Sequence, residues 1–199
     1  MKNIVLFILL LCPVLSYSQG SNNELVKTIM KDFSAKEYNK DMALYRAKFY
    51  IIDEIFGEAN EYQKFVIDPL AASKSTEITS IYYEGRGKKG LVLGFFDYFW
   101  QSRASGVTYQ GYGFKNLSFE TAFRLLNKID SIIENEKKFL NADDNENNIY
   151  FDFEDMTIII YREGPLKGRI RISWNGFDGE WENIAFRRTK NRFEKAMED

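Results

Sequence analysis

The sequence predicts an α+β fold, in which helices lead into antiparallel strands. Apolar residues recur at helical spacing in the first third of the chain and again from 119 to 133, whereas apolar and polar residues alternate between 149 and 174. The first pattern is typical of amphipathic helices and the second of half-buried strands. Helices and strands in separate stretches of the chain favour the α+β class.

The amino-terminal part of the mature chain is predicted to be helical. Apolar spacing predicts helices over residues 23–35, 44–56 and 59–68. Gly57 is a natural end for the second helix. Pro69 ends the third, because a proline disfavours helical geometry in the residue before it. Residues 22–73 are therefore a candidate helical subdomain.

A β-hairpin and a long helix are predicted next. Residues 77–84 and 91–100 are rich in β-branched and aromatic residues, and a glycine-containing turn joins them, which predicts a hairpin. Residues 102–116 are predicted to form a loop, because glycine, serine and tyrosine dominate there. Ser118 is a good N-cap for an amphipathic helix whose apolar stripe covers residues 119–133.

The last part of the chain is predicted to form an antiparallel three-stranded meander and a C-terminal helix. Alternation predicts the three strands, over residues 149–154, 156–161 and 169–174. Asn175-Gly176 is predicted to close this meander. The last twenty residues, around Trp181, predict a helix that packs on the sheet.

The first 18 residues have the pattern of an export signal. Lys2 precedes the apolar run 4–11, and Ser16 and Ser18 are small residues at the two positions that a signal peptidase reads. The apolar run is too short to span a bilayer. Cleavage after Ser18 predicts a soluble protein, residues 19–199, that forms a single α+β domain in the periplasm or outside the cell.

Composition excludes several classes of activity. The chain has no histidine, so a Ser-His-Asp triad, a Cys-His pair and the common zinc sites cannot form. Its one cysteine, Cys12, lies in the signal segment, so the mature protein is predicted to be disulfide-free. Lipidation of Cys12 is the alternative to its removal, although Leu11 stands where a lipidation site has a small residue. Loss of Lys2 leaves 26 basic against 29 acidic residues, a net charge of −3, which predicts no general attraction to nucleic acid.

The sequence predicts neither a cofactor nor a metal site. Asp143, Asn145, Asn147 and Glu154 match several positions of a calcium-binding loop, but Asn148 replaces the glycine that such a loop needs at its sharp turn. A solvated linker between a helix and a strand explains the same residues.

The turn at residues 85–90 is the first candidate binding site. Its glycines begin a phosphate-binding pattern, but Leu91-Val92 stands where that pattern needs a lysine and a hydroxyl residue. Arg86, Lys88 and Lys89 remain candidates to hold a phosphate or carboxylate group of a partner, together with backbone amides of the turn. The alternative is a solvated hairpin turn, in which the lysines keep a strand edge soluble.

Aromatic residues around the loop 102–116 form the second candidate binding site. Trp100 leads into this loop, and Tyr109 and Tyr112 lie among its glycines. Tyrosine on such loops offers a large contact area with little rotamer entropy to lose, so these three residues are predicted to contact a partner. A further basic stripe near Tyr161 comprises Arg162, Arg169 and Arg171.

Two functions of different classes follow. The first is an exported, soluble, non-catalytic protein that binds a protein partner, with a periplasmic inhibitor or immunity protein as one form. The alternative is a carboxylate-based glycan-binding or glycan-cleaving protein with Asp97, Asp178 and Glu180 as candidate acids, because paired carboxylates cleave glycosides without histidine. A structure separates the two functions, since an enzyme needs a pocket with two convergent acids, whereas a binder can present a flat patch.

Overall fold

A computed structural model describes residues 44–72, 77–100, 108–142, 146–164 and 167–196. Within these ranges, the side chains of residues 97–100 and 108–110 are outside the description. The predicted signal segment and the predicted helix 23–35 lie outside the described residues and stay predictions.

The described part of the chain contains four helices and two antiparallel four-stranded sheets, which confirms the α+β class. The helices are α1 (residues 44–50, continuing as a π-helical segment Ile51–Phe56), α2 (Phe119–Asn135), α3 (Lys137–Leu140) and α4 (Asn183–Lys195). Sheet A consists of β1 (Phe65–Ala72), β2 (Ile78–Gly85), β3 (Lys88–Trp100) and β4 (Thr108–Ser118). Sheet B consists of β5 (Ile149–Phe153), β6 (Met156–Arg162), β7 (Gly168–Trp174) and β8 (Phe177–Glu182). No helix among these residues has the length and apolar character that crossing a bilayer requires.

Sheet A contains the predicted hairpin and two strands that the sequence assigned differently. β2 pairs along its whole length with residues 88–95 of β3, around a turn at Arg86 and Gly87, where both residues have positive φ. The predicted helix over 59–68 is wrong, because residues 65–72 form the edge strand β1, in which Pro69 lies next to an irregularity of the pairing. The predicted loop over 102–116 is wrong in its second half, because β4 pairs with β3 from Thr108 onwards.

Sheet B has one strand more than the predicted three-stranded meander. Asn175 and Gly176, with φ of 48° and 80°, form a two-residue turn between β7 and β8, where we expected the sheet to end. Trp181 therefore lies in β8, and the C-terminal helix begins two residues later, at Asn183. The predicted helix itself is present.

The long helix α2 is present as predicted. The Ser118 side chain accepts a hydrogen bond from the Thr121 backbone N–H at 3.2 Å, which is the N-cap arrangement. One face of α2 is buried, and its core residues are Ala122, Leu125, Leu126 and Ile129.

Two hydrophobic clusters hold the described part together. The larger joins one face of sheet A, one face of sheet B, α2 and α4, with Phe95, Trp181 and Phe193 among its largest side chains. The smaller packs α1 against the opposite face of sheet A. Sheet A is therefore covered on both faces, whereas one face of sheet B is not part of either cluster.

A buried polar contact fixes α4 against sheet A. The hydroxyl oxygens of Ser80 and Thr189 lie 2.5 Å apart, and both residues are fully buried. Ser80 also accepts a hydrogen bond from the Ala71 backbone N–H at 3.2 Å. Buried hydroxyl groups need such partners because an unsatisfied one costs about 1–3 kcal/mol.

Candidate functional site

The candidate site is the face of sheet B that points away from the core, hereafter the outer face. Along all four strands, buried residues alternate with more exposed ones, because successive strand residues point to opposite faces. Pairing of the strands places the outward residues side by side. They are Tyr150, Asp152, Thr157, Ile159, Tyr161, Arg169, Arg171, Ser173, Asp178, Glu180 and Glu182.

Arg171 and Asp178 form the best-defined ion pair of the outer face. Arg171 Nε donates to the two Asp178 oxygens at 2.8 and 2.9 Å, and Arg171 Nη2 lies 2.7 Å from Asp178 Oδ2. The hydrogen bond that Arg171 donates to Asp178 is the main cause of the raised pKa of Arg171. Their side chains keep 44% and 45% exposure, so both groups are oriented by one another and still reach solvent.

Arg169 and Tyr161 form the neighbouring part of the outer face. Arg169 lies 2.8 Å from Glu163, 3.1 Å from Glu180 and 3.4 Å from Glu182, measured between guanidinium nitrogens and carboxylate oxygens. The Tyr161 hydroxyl donates to Glu180 Oε2 at 3.0 Å. Burial raises the pKa of Tyr161, and the hydrogen bond to Glu180 raises it further, so this tyrosine is a neutral donor at physiological pH.

The outer face as a whole contains tyrosines and is acidic. Its two arginines stand against four carboxylates, those of Asp152, Asp178, Glu180 and Glu182, so its formal charge is −2. Tyr150 is 75% exposed. Exposed ion pairs contribute only about 0–1 kcal/mol to folding. The charged network therefore matters more for the surface that it presents than for stability.

Arg86 and Lys88, two of the predicted binding residues, contact the end of α1. Arg86 Nη1 donates to the carbonyl oxygens of Phe56, Gly57 and Glu58 at 2.7, 2.9 and 2.9 Å, and Lys88 Nζ donates to the carbonyl of Ile55. The last carbonyls of a helix have no partner within the helix, and positive charge is favourable there. These two cations bind the protein's own backbone in the structure.

Lys89 and Tyr112 also have intramolecular contacts. The Lys89 ammonium lies 4.4 Å from the centre of the Phe119 ring. The Tyr112 ring packs edge-on against Phe96, with centroids 5.3 Å apart, and the Arg46 guanidinium lies over it at 4.5 Å. Tyr112 is partly buried by these neighbours.

The remaining predicted residues, Trp100 and Tyr109, lie at the far end of the β3–β4 hairpin. Trp100 is the last residue of β3, and Tyr109 pairs with Phe99; their side chains are outside the description. Lys88 begins the same strand, and twelve residues at about 3.3 Å each separate the two ends by about 40 Å. The predicted cations and the aromatic residues at the hairpin end therefore do not form one site.

The candidate acids Asp178 and Glu180 lie on the outer face, and each is bound by an arginine. Arg171 holds Asp178 and Arg169 holds Glu180. A glycoside hydrolase needs two carboxyl groups that face a bound sugar, whereas both of these are held in ion pairs with arginines of the same face. Asp97 lies among the residues whose side chains are outside the description.

The described residues contain no group of three or more acidic residues placed to hold a metal ion. Asp143 and Asn145, from the calcium-like pattern, lie outside these residues. Asn147 donates its amide to the carbonyl oxygen of Phe139 at 2.7 Å, so its side chain ties the linker to α3.

Comparison with protein-family models, with characterised proteins and with solved structures gave no match. The class that the fold itself defines is an α+β domain of two antiparallel four-stranded sheets, one of which presents a polar face. Sequence reasoning singled out Arg169, Arg171 and Tyr161 but missed Tyr150. The alternation in residues 149–153 contained that signal, since it already assigned Tyr150 to the polar face.

Proposed function

We propose that this chain is an exported, non-catalytic binding protein that recognises a protein partner through the outer face of sheet B. The observation that supports this proposal is the outer face itself, where Tyr161, Arg169 and Arg171 are oriented by hydrogen bonds and ion pairs beside the exposed Tyr150. Tyrosine and arginine are enriched in protein interfaces, and side chains that are already oriented lose less entropy on binding. A periplasmic inhibitor or an immunity protein is one form of such a binder.

The chemistry of the outer face indicates which partner it fits. Its formal charge of −2 favours a partner with a basic patch, because complementary charge steers association. Exposed Tyr150 offers the large rigid contact that often dominates binding energy. We therefore expect a partner that presents lysines or arginines around a shallow depression for this ring, and we expect the association to weaken with added salt.

The carboxylate-based glycan-cleaving enzyme has less support. Its candidate acids Asp178 and Glu180 lie on an open sheet face, and arginines neutralise both. A binder needs no proton transfer, so the same ion pairs are compatible with recognition.

Affinity capture with matched variants tests the proposal. The mature protein, residues 19–199, is used to capture partners from the envelope and secreted fractions of its own organism, and Tyr150→Ala is compared with Tyr62→Ala. Tyr62 is 88% exposed and lies outside sheet B, so it controls for the loss of an exposed tyrosine. We expect a stoichiometric partner that Tyr150→Ala loses, with binding weakened by about 2 kcal/mol, and that Tyr62→Ala keeps.

Two results would contradict the proposal. If no protein is captured in stoichiometric amount, a protein partner is not supported. If Tyr62→Ala abolishes capture and Tyr150→Ala does not, the partner binds elsewhere. Thermal midpoints close to that of the unmodified protein confirm that both variants are folded.

A further inference from the structure

The helix α1 is apolar on two of its sides. One side packs against sheet A, and its residues Ala47 and Ile51 are fully buried there. The other side carries Tyr45, Phe49 and Ile52, hereafter the α1 stripe, which are 58%, 49% and 36% exposed. A helix with apolar residues on both sides is normally buried on both. The α1 stripe is therefore a candidate surface for association.

The α1 stripe is ordered before any association. The Tyr45 and Phe49 rings pack edge-on, with centroids 5.0 Å apart. Arg86 and Lys88 donate hydrogen bonds from the β2–β3 hairpin to the last carbonyl oxygens of the helix. Groups that are already ordered lose less entropy on binding, so the stripe is suited to contact another molecule.

The exposed charges of α1 divide by sign along the helix. Arg46 and Lys48 lie in its first half. Asp53 and Glu54 lie in its second half, and all four residues are exposed. Arg46 and Asp53 each follow a residue of the α1 stripe by one position, and they are about two helical turns apart. Both therefore flank the stripe on the same side, and a second, antiparallel α1 would place opposite charges beside each other.

We propose that two copies of this chain associate through the α1 stripe, with their α1 helices antiparallel about a two-fold axis. Each stripe then covers the other, and Arg46 of either copy lies near Asp53 of the other copy, so that the ion pair forms twice. Parallel helices would instead place like charges opposite each other. The helix is only about 20 Å long, so the interface is small and we expect a weak dimer, with a Kd in the micromolar range.

The charges of α1 favour a second copy over a lipid surface. Helices that lie on membranes are rich in lysine and arginine beside their apolar face, whereas the four exposed charges of α1 cancel. The helix also covers the side of sheet A that faces away from the core shared with sheet B. The dimer therefore leaves the outer face of each copy free for the protein partner proposed above.

Sedimentation of the mature protein, residues 19–199, at concentrations from about 1 to about 300 μM tests the association. We expect the mass to rise with concentration from one chain to two. Phe49→Ala is expected to raise the Kd at least about tenfold. Phe139→Ala is the matched control, because Phe139 is 45% exposed and lies on α3, and it should leave the Kd unchanged. Thermal midpoints check that both variants are folded.

A charge exchange tests the antiparallel arrangement. Arg46→Asp and Asp53→Arg each replace two attractive pairs of the dimer with two repulsive ones, so each variant alone should associate about tenfold more weakly. In an equimolar mixture, a dimer with one chain of each variant regains two attractive pairs. We therefore expect the mixture to associate about tenfold more tightly than either variant alone. Thermal midpoints check that these two variants are also folded.

The proposal is overturned if the protein is a monomer up to about 300 μM. In that case, sedimentation with phosphatidylcholine–phosphatidylglycerol vesicles that Phe49→Ala abolishes would identify a lipid surface as the occupant of the stripe. A monomer that Phe49→Ala destabilises much more than Phe139→Ala does would show that the stripe packs within a single chain. Equal weakening of association by these two variants would place the dimer contact elsewhere, and a mixture no tighter than the separate charge variants would refute antiparallel packing.

Discussion

A substitution of Arg86 distinguishes a structural role of the β2–β3 turn from a partner-binding role. In the structure its guanidinium binds three carbonyl oxygens at the end of α1, whereas the sequence placed it in a partner site. Arg86→Ala removes these hydrogen bonds without changing any residue of the outer face. The variant therefore tests whether the turn holds α1 on sheet A.

The structure sets the expected size of the effect. A hydrogen bond from a charged donor contributes about 1.5–3 kcal/mol, but one nitrogen with two N–H groups serves all three carbonyls, and two of the three contacts are exposed. We therefore expect Arg86→Ala to lower the free energy of unfolding by about 2 kcal/mol. Arg86 has φ of 51°, a conformation that costs an L-residue about 1 kcal/mol and glycine little. Arg86→Gly is therefore expected to lose only about 1 kcal/mol.

Urea unfolding followed by tryptophan fluorescence measures both effects. A loss of about 2 kcal/mol corresponds to a thermal midpoint about 4–8 °C lower in a protein of this size. Arg188→Ala changes an exposed residue of α4 and is the control. Its free energy of unfolding should stay within about 0.5 kcal/mol of that of the unmodified protein. An Arg86→Ala protein with unchanged stability and lost partner binding would refute the structural role. Equal losses in the alanine and glycine variants would refute the argument from backbone strain.

Two further predictions concern the buried hydroxyl pair and acid stability. Thr189→Val is expected to lower the free energy of unfolding, measured in urea, by about 1–3 kcal/mol. The double variant with Ser80→Ala should lose less than the sum of the two single losses, because each single change leaves one buried hydroxyl group without its partner. Additive losses would show that the two hydroxyl groups are not coupled. The hydrogen bond from Lys115 is the main cause of the lowered pKa of Asp155. The ionised Asp155 therefore stabilises the fold above the ordinary aspartate pKa of about 4, and this contribution is lost as pH falls through the lower pKa of the folded protein. Trp174 donates to Asp155 at 2.9 Å, so tryptophan fluorescence should titrate in that acidic range, and a titration that persists in Asp155→Asn would assign it to another group.

The elements predicted well are those whose pattern is set locally. The stripe of α2, the hairpin β2–β3 and the alternation of β5, β6 and β7 follow from side-chain spacing alone. β4 was missed because Gly111 and Gly113 were interpreted as loop residues. A Cβ on Gly113 would lie 2.5 Å from the Phe177 ring, so this glycine allows a close approach within a strand. That requirement comes from a residue more than sixty positions away and is invisible in the local sequence.

The errors at β1 and β8 have related causes. Pro69 was interpreted as the end of a helix, yet an edge strand also accepts a proline. Trp181 was assigned to the C-terminal helix because Asn175-Gly176 was interpreted as the end of the sheet, although such a pair also forms a hairpin turn. Likewise, Arg86 and Lys88 had the composition of a binding turn. Their contacts with the end of α1 join residues about thirty positions apart, which no local pattern contains.

The alternation of sheet B separates the residues that form the core from those that would carry the proposed recognition. Ile158, Ile160, Ile170 and Ile172 are fully or almost fully buried on one side, and each of their strand neighbours projects to the other side. Substitutions on the outward positions therefore change the chemistry of this surface while the packing underneath stays intact. The sheet can diversify in the way that an antibody changes its binding loops on a constant framework, here with regular strand positions as the variable residues.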